Sequence, residues 1–183
     1  MSDLEFMEVR VSRKLLLVLT IVGLIFLMAG LDIGYFHKVF DSDFGQDKVI
    51  VKWAFLFVAV ILGGTIFVNC LIYFFVPPLM LKVTKDKIIF GTGMRYVPFE
   101  IPAKYFETIE AFTKESDLEV DGKKAIVDGG ATIHLKNDPA IPSQKTTSMG
   151  IGYYNYVLTI GSRYSDISGK EMVEKVKAVL GKK

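Results

Sequence analysis

The chain has 183 residues, enough for one or two structural units, with 51% hydrophobic residues, 23% charged residues and a formal net charge of +2. That charge is too small to single out nucleic acid as a partner, and no DNA- or RNA-binding motif accompanies it. The single cysteine, Cys70, cannot form an internal disulfide, and Asn-x-Ser/Thr sequons are absent, in keeping with a cytoplasmic soluble part.

A mean hydropathy of +0.37 conceals a segregated chain. Leu15 to Leu31 carries no charge and, at 1.5 Å per residue, spans about 26 Å as a helix. A hydrocarbon core is about 30 Å thick. Continuing past Asp32 through Ile33, Tyr35 and Phe36 supplies the missing turn, which predicts a helix over about 14–36 with Asp32 at the interface. Arg10, Arg13 and Lys14 resemble the start of a signal peptide. However, the apolar run exceeds the usual 7–15 residues and no small-residue cleavage site follows, so an uncleaved anchor is expected.

Residues 37–51 form a short loop carrying Asp41, Asp43 and Asp47 beside Lys38 and Lys48. The next run, Trp53 to Val76, predicts a second helix over about 52–76, some 36 Å long. Lys52 can snorkel at its start, and Pro77-Pro78 stop it. Arg10, Arg13 and Lys14 before the first helix, and Lys82, Lys85 and Lys87 after the second, favour both termini in the cytoplasm. Tyr35 and Trp53 suit the outer interface and Tyr73 the inner one. Gly23, Gly30, Gly63 and Gly64 allow close helix approach, and Asn69 calls for a hydrogen-bonding neighbour within the hairpin or in a dimer. Residues 1–80 thus read as a membrane hairpin and 81–183 as a soluble domain.

From Leu81 the period changes to two. Leu81/Val83 and Ile88/Phe90 pair on strand faces around a Lys85-Asp86 turn, with Gly91 and Gly93 ending the segment. VPFEI (97–101) and YFETIEAF (105–112) read as further strands. Residues 113–130 are polar, with turn signals at Asp121-Gly122 and Asp128-Gly129-Gly130. ATIHLK (131–136) places Ile133 and Leu135 opposite His134. Residues 137–152 form a long loop, either mobile or functional. YYNYVLTI (153–160) reads as one strand. The last element is a helix over 169–180: Ser168 and Glu171 form a capping box, Met172, Val173, Val176, Val179 and Leu180 share one face, and Gly181 stops it. Lys182 and Lys183 complement its dipole. Short strands covered by one helix indicate a small barrel or curved sheet.

Two apolar spans followed by LKVTKDKIIFGTG, VPFEIPAKYFETIEAF and YVLTIGSRYSDISGKEMVEKVKAVL resemble bacterial pleckstrin-homology-like membrane proteins. The resemblance covers residues 15–180 and implies a membrane hairpin followed by a seven-stranded, helix-capped PH-like domain that serves assembly or ligand contact. The sequence lacks the dense basic pattern of phosphoinositide-binding relatives between Lys82 and Val97, and a tryptophan in the capping helix.

No catalytic, cofactor or metal site emerges. His37 and His134 are the only histidines and fall on opposite sides of the membrane. Gly91-Thr92-Gly93 starts a G-x-G-x-x-G pattern without its third glycine and reads as a strand turn. Glu107 and Glu110 are expected on opposite faces of a strand. The expected function is a non-enzymatic interaction or assembly module whose partners are the bilayer and other membrane proteins or itself. The alternative is a domain binding anionic lipid or a small ligand at the membrane surface, using Lys82, Lys85 and Lys87. An enzyme acting on a membrane-associated substrate is the remote reading.

Overall fold

A computed structural model describes residues 5–33, 49–92, 95–120 and 123–181. The chain forms two compact units. One is Arg13–Pro77; the other joins Met1–Ser12 to Pro78–Lys183. This differs from the division at residue 80, because the N-terminal segment belongs to the β-rich unit.

The first unit is a helical hairpin of α1 (Arg13–Leu31) and α2 (Val49–Phe75). Both helices are long and apolar enough to cross a membrane. Asp32 and Ile33 continue the helical winding past α1; the rest of the expected extension to residue 36 and the loop around His37 lie outside the described residues. Glycine brings the helices together. A Cβ on Gly23 would stand 2.7 Å from the Phe67 nitrogen, and one on Gly63 would stand 2.7 Å from that of Leu27. Gly30 meets the Ala59 methyl. These contacts rise along α1 as they descend α2, so the pair is antiparallel. Gly64 is the exception: a Cβ there would touch only the end of Leu27, 4.0 Å away.

The second unit holds eight strands in two antiparallel sheets. The first sheet is β1 (Phe6–Arg10), β2 (Leu79–Thr84), β3 (Lys87–Thr92) and β4 (Val97–Pro102), in that order. The second contains β5 (Phe106–Val120), β6 (Lys123–Leu135), β7 (Ile151–Tyr154) and β8 (Val157–Gly161), in the order β5-β6-β8-β7. The sheets do not close into a barrel. A C-terminal helix, α3 (Gly169–Leu180), packs against β5 and β6 of one sheet and β1 and β2 of the other.

Strand β1 was not anticipated. It precedes α1 in sequence but pairs with β2, which follows α2, with Glu8 opposite Lys82. Its alternation is that of a half-buried strand: Met7 and Val9 are buried while Phe6 and Arg10 are exposed. At the foot of the pair the Val11 N–H donates to the Pro78 carbonyl over 3.0 Å.

The period-two reading holds in β2 and β3, where Leu81, Val83, Ile88 and Phe90 are all fully buried. Other expectations are corrected. The polar stretch 113–130 is mostly strand, because β5 and β6 form one long hairpin through it; its Asp121-Gly122 tip lies outside the described residues. Asp128-Gly129-Gly130 is no turn but an irregularity within β6, where the pairing slips between Phe112 and Thr113. Gly130 takes φ 127°, and a side chain there would collide with the Ile160 carbonyl. The Asp128 carboxylate fastens this kink to the start of α3, accepting from the Gly130 and Gly169 amides at 3.0 and 2.9 Å.

YYNYVLTI is likewise two strands. Asn155 and Tyr156, at φ 49° and 62°, make the tight turn between β7 and β8. The capping of α3 follows the sequence: the Glu171 amide donates to Ser168 Oγ, and Gly181 closes the helix at φ 63°. The Glu171 carboxylate instead pairs with Lys175 at 2.7 Å. Met172, Val176 and Val179 are buried, with Val173 and Leu180 half-buried beside them.

Because Val9 is fully buried, residues 78–183 alone should be less stable than the same segment joined to residues 1–12 by a flexible linker. Thermal unfolding should show one cooperative transition for the fusion and a lower or broadened one without β1; equal midpoints would refute a structural role for β1. In the hairpin, Gly63→Leu should cost about 1–3 kcal/mol in detergent titration, and Gly64→Leu much less.

Candidate functional site

The three lysines proposed for membrane-surface contact lie on the β2–β3 hairpin. Alternation sends Leu81 and Val83 inward and turns Lys82 to the outer face. There Lys82 Nζ meets Glu8 Oε1 at 2.8 Å and sits 4.6 Å from the centre of the Phe6 ring. Arg10 also reaches Glu8, at 3.0 Å. The hydrogen bond from Lys82, aided by Arg10, holds the Glu8 carboxyl below its ordinary value of 4.5, against the opposing effect of partial burial.

Lys87, at the start of β3, pairs with Glu100 of β4 at 2.6 Å. That hydrogen bond, with the Glu100 charge behind it, raises the Lys87 pKa. Lys85 is exposed at the turn beside Asp86. The structure therefore does not gather the lysines into one cationic patch. Two of the three face carboxylates.

A second grouping was missed in sequence. The pairing of β5 with β6 slips between Phe106 and Thr108, so Phe106 and Ile109 are both buried despite their odd spacing. The slip brings Glu107 to the same shallow pocket as His134, while Glu110 Oε1 lies 3.2 Å from His134 Nε2. The expected separation of the two carboxylates on opposite faces is thereby overturned. The pocket, about 360 Å³, is completed by Leu135, Asn137, Asn155, Tyr156 and Val157. The Glu110 contact can orient the His134 imidazole, and the amides can hydrogen-bond a polar guest. Among the described residues no serine, threonine or cysteine lines the pocket. Among the described residues no group of three or more His, Cys, Asp or Glu side chains is arranged to hold a metal ion.

The 137–152 segment is tied down. Tyr153 Oη donates to the Pro142 carbonyl at 2.6 Å, and the Ser148 amide to the Gly91 carbonyl at 3.3 Å. Thr92 bridges to Thr147 and Gln144 to Tyr154, while Lys145 caps the Phe99 ring at 3.9 Å. Burial, with a smaller contribution from Tyr156, raises the Tyr153 pKa. The rings of Phe90 and Tyr153 meet in a tilted contact, centroids 5.3 Å apart, joining the two sheets. The segment thus serves as a strap between β3 and β7.

Comparison with protein-family models, curated proteins and solved structures finds no match for this chain.

The cross-strand Glu8–Lys82 pair should make the β-rich unit acid-sensitive. A carboxylate whose folded pKa is depressed adds stability above its unfolded value and loses it as pH falls through the folded one. Glu8→Gln should therefore lower stability by up to about 1 kcal/mol at neutral pH. Wild type and variant should converge once pH falls below the depressed folded value. Melting curves of the 1–12/78–183 fusion across this range would show it; a gap that stays constant with pH would contradict the assignment.

Proposed function

We propose that this chain is a membrane-anchored, non-enzymatic interaction or assembly module. In this reading α1 and α2 span the bilayer and hold a pleckstrin-homology-like β unit at its surface. The observation that carries the reading is the pairing of β1 with β2, since the strands that flank the hairpin are neighbours in one sheet. Both ends of the hairpin therefore belong on one side of a membrane. The basic residues beside those ends favour the cytoplasmic side.

Exposure supports spanning over a soluble core role. Only 22% and 11% of the two apolar windows is buried, and Ile25, Phe26 and Phe57 are more than half exposed. A core helix would hide such side chains. The position of β1 speaks against a cleaved leader, because cleavage after α1 would strip a strand from the sheet. The two sheets with a C-terminal helix against both are compatible with a PH-like module, with β1 as an eighth strand added from before the hairpin. The acidic partners of Lys82 and Lys87 weigh against lipid contact as the main role.

Confinement to a membrane plane raises the effective concentration of a module for other membrane-bound partners. Full-length protein should stay in the pellet after alkaline carbonate extraction. In a Cys70→Ser background, cysteines at positions 2 and 182 should label only when the cytoplasmic face is opened. Chemical crosslinking in native membranes should then give a discrete product. Release by carbonate removes the anchor, labelling of the two positions from opposite faces removes the topology, and monomer alone under several crosslinkers removes the assembly role.

A further inference from the structure

Asn69 lies on the face of α2 turned away from α1. The α1-facing side of the helix carries Ala59 and Gly63. Asn69 is exposed, as are Val58, Leu62, Thr65 and Ile72. These positions follow one another at alternating intervals of four and three residues, forming a single stripe along the helix. The Asn69 amide donates to the Thr65 carbonyl of its own helix at 2.9 Å. Among the described residues its carbonyl oxygen and second N–H have no other partner.

Asn69 stands about 9 Å of helix inside the Phe75 end. That depth is within hydrocarbon if α2 spans a bilayer. An amide left unpaired in an apolar medium costs several kcal/mol. Packing inside the hairpin cannot satisfy it, because its face points outward.

We propose that the Thr65–Asn69 face of α2 is the contact for a second copy of this chain. This rests on the membrane-anchored reading above and names its partner. The amide is self-complementary, donating through nitrogen and accepting through oxygen. Two copies inserted with the same topology present Asn69 at the same depth, so a two-fold axis along the membrane normal sets Asn69 opposite its equivalent for reciprocal hydrogen bonding. The stripe carries no charge that would demand an unlike partner. Its aliphatic residues above and below Asn69 supply a seam that a parallel copy matches at every level. The single polar position fixes register, as a lone asparagine does in a coiled coil.

The test uses full-length protein in membranes, in the Cys70→Ser background. Leu62→Cys or Ile72→Cys should give a dimer-mass product with a short bismaleimide, and Ala59→Cys, on the α1-facing side, should give none. Labelled full-length protein diluted in lipid vesicles should show energy transfer, and Asn69→Leu should weaken association about 3- to 30-fold, with Asn69→Gln retaining most of it. Leucine suits a lipid-facing helix, so this variant remains inserted. Carbonate-resistant protein with no dimer from either seam position overturns the proposal and leaves the anchor standing. So does a product of unlike mass, or an Asn69→Leu variant that associates like wild type. Release by carbonate overturns both.

Discussion

The pairing of β1 with β2 is the constraint on which the rest of the architecture turns. Residues 6–10 can join their sheet only after the whole of residues 13–77 has been laid down. Closing so long a loop as free chain is entropically costly and slow. An antiparallel hairpin removes most of that cost, since it returns α2 to the end where α1 began. Glycine at positions 23, 30 and 63 is what lets the two helices approach closely enough to do so. The hairpin therefore eases closure of the sheet, whose foot is fixed by the bond between Val11 and Pro78.

The two units bury their side chains in opposite ways. In the β-rich unit Phe90, Ile101, Ile133 and Met172 have no exposed surface. In the hairpin the relation is reversed, because residues such as Phe57 and Ile25 face outward while small residues fill the helix contact. The hydrophobic effect drives the first arrangement. Between helices in lipid it is absent, and close van der Waals contact takes its place. The ion pairs of Glu8 with Lys82, Lys87 with Glu100 and Glu171 with Lys175 lie in the β-rich unit.

The segments whose neighbours are local were legible from sequence. Helix α3 follows from Ser168, its apolar stripe and Gly181, and β2–β3 from alternation around Lys85-Asp86. What escaped was set by distant partners. FMEVR has the alternation of a strand, yet five residues beside a long apolar run carry no sign that their partner lies beyond two helices. The bulge at Glu107 is invisible in composition, and missing it placed Glu107 and Glu110 on opposite faces. YYNYVLTI has uniform strand propensity, and only Asn155 hints at the turn that splits it. The lysines were read as free charges because neither Glu8 nor Glu100 is near Lys82 or Lys87 in sequence. Pairing across strands, not local pattern, decided their surroundings.

That neutralisation bears on what the β-rich unit can do at a surface. An exposed lysine near an anionic leaflet is worth about 1 kcal/mol, but one already facing a carboxylate must give up that contact to gain it. With Lys82 held by Glu8 and Lys87 by Glu100, neither can turn to lipid without giving up its partner. On the proposed reading attachment is then the work of the hairpin, whose apolar length exceeds what any cluster of three lysines could supply. On that same reading the outer stripe of α2 is available for contact within the plane of a membrane. There a weak interface gains from two-dimensional confinement what it lacks in area.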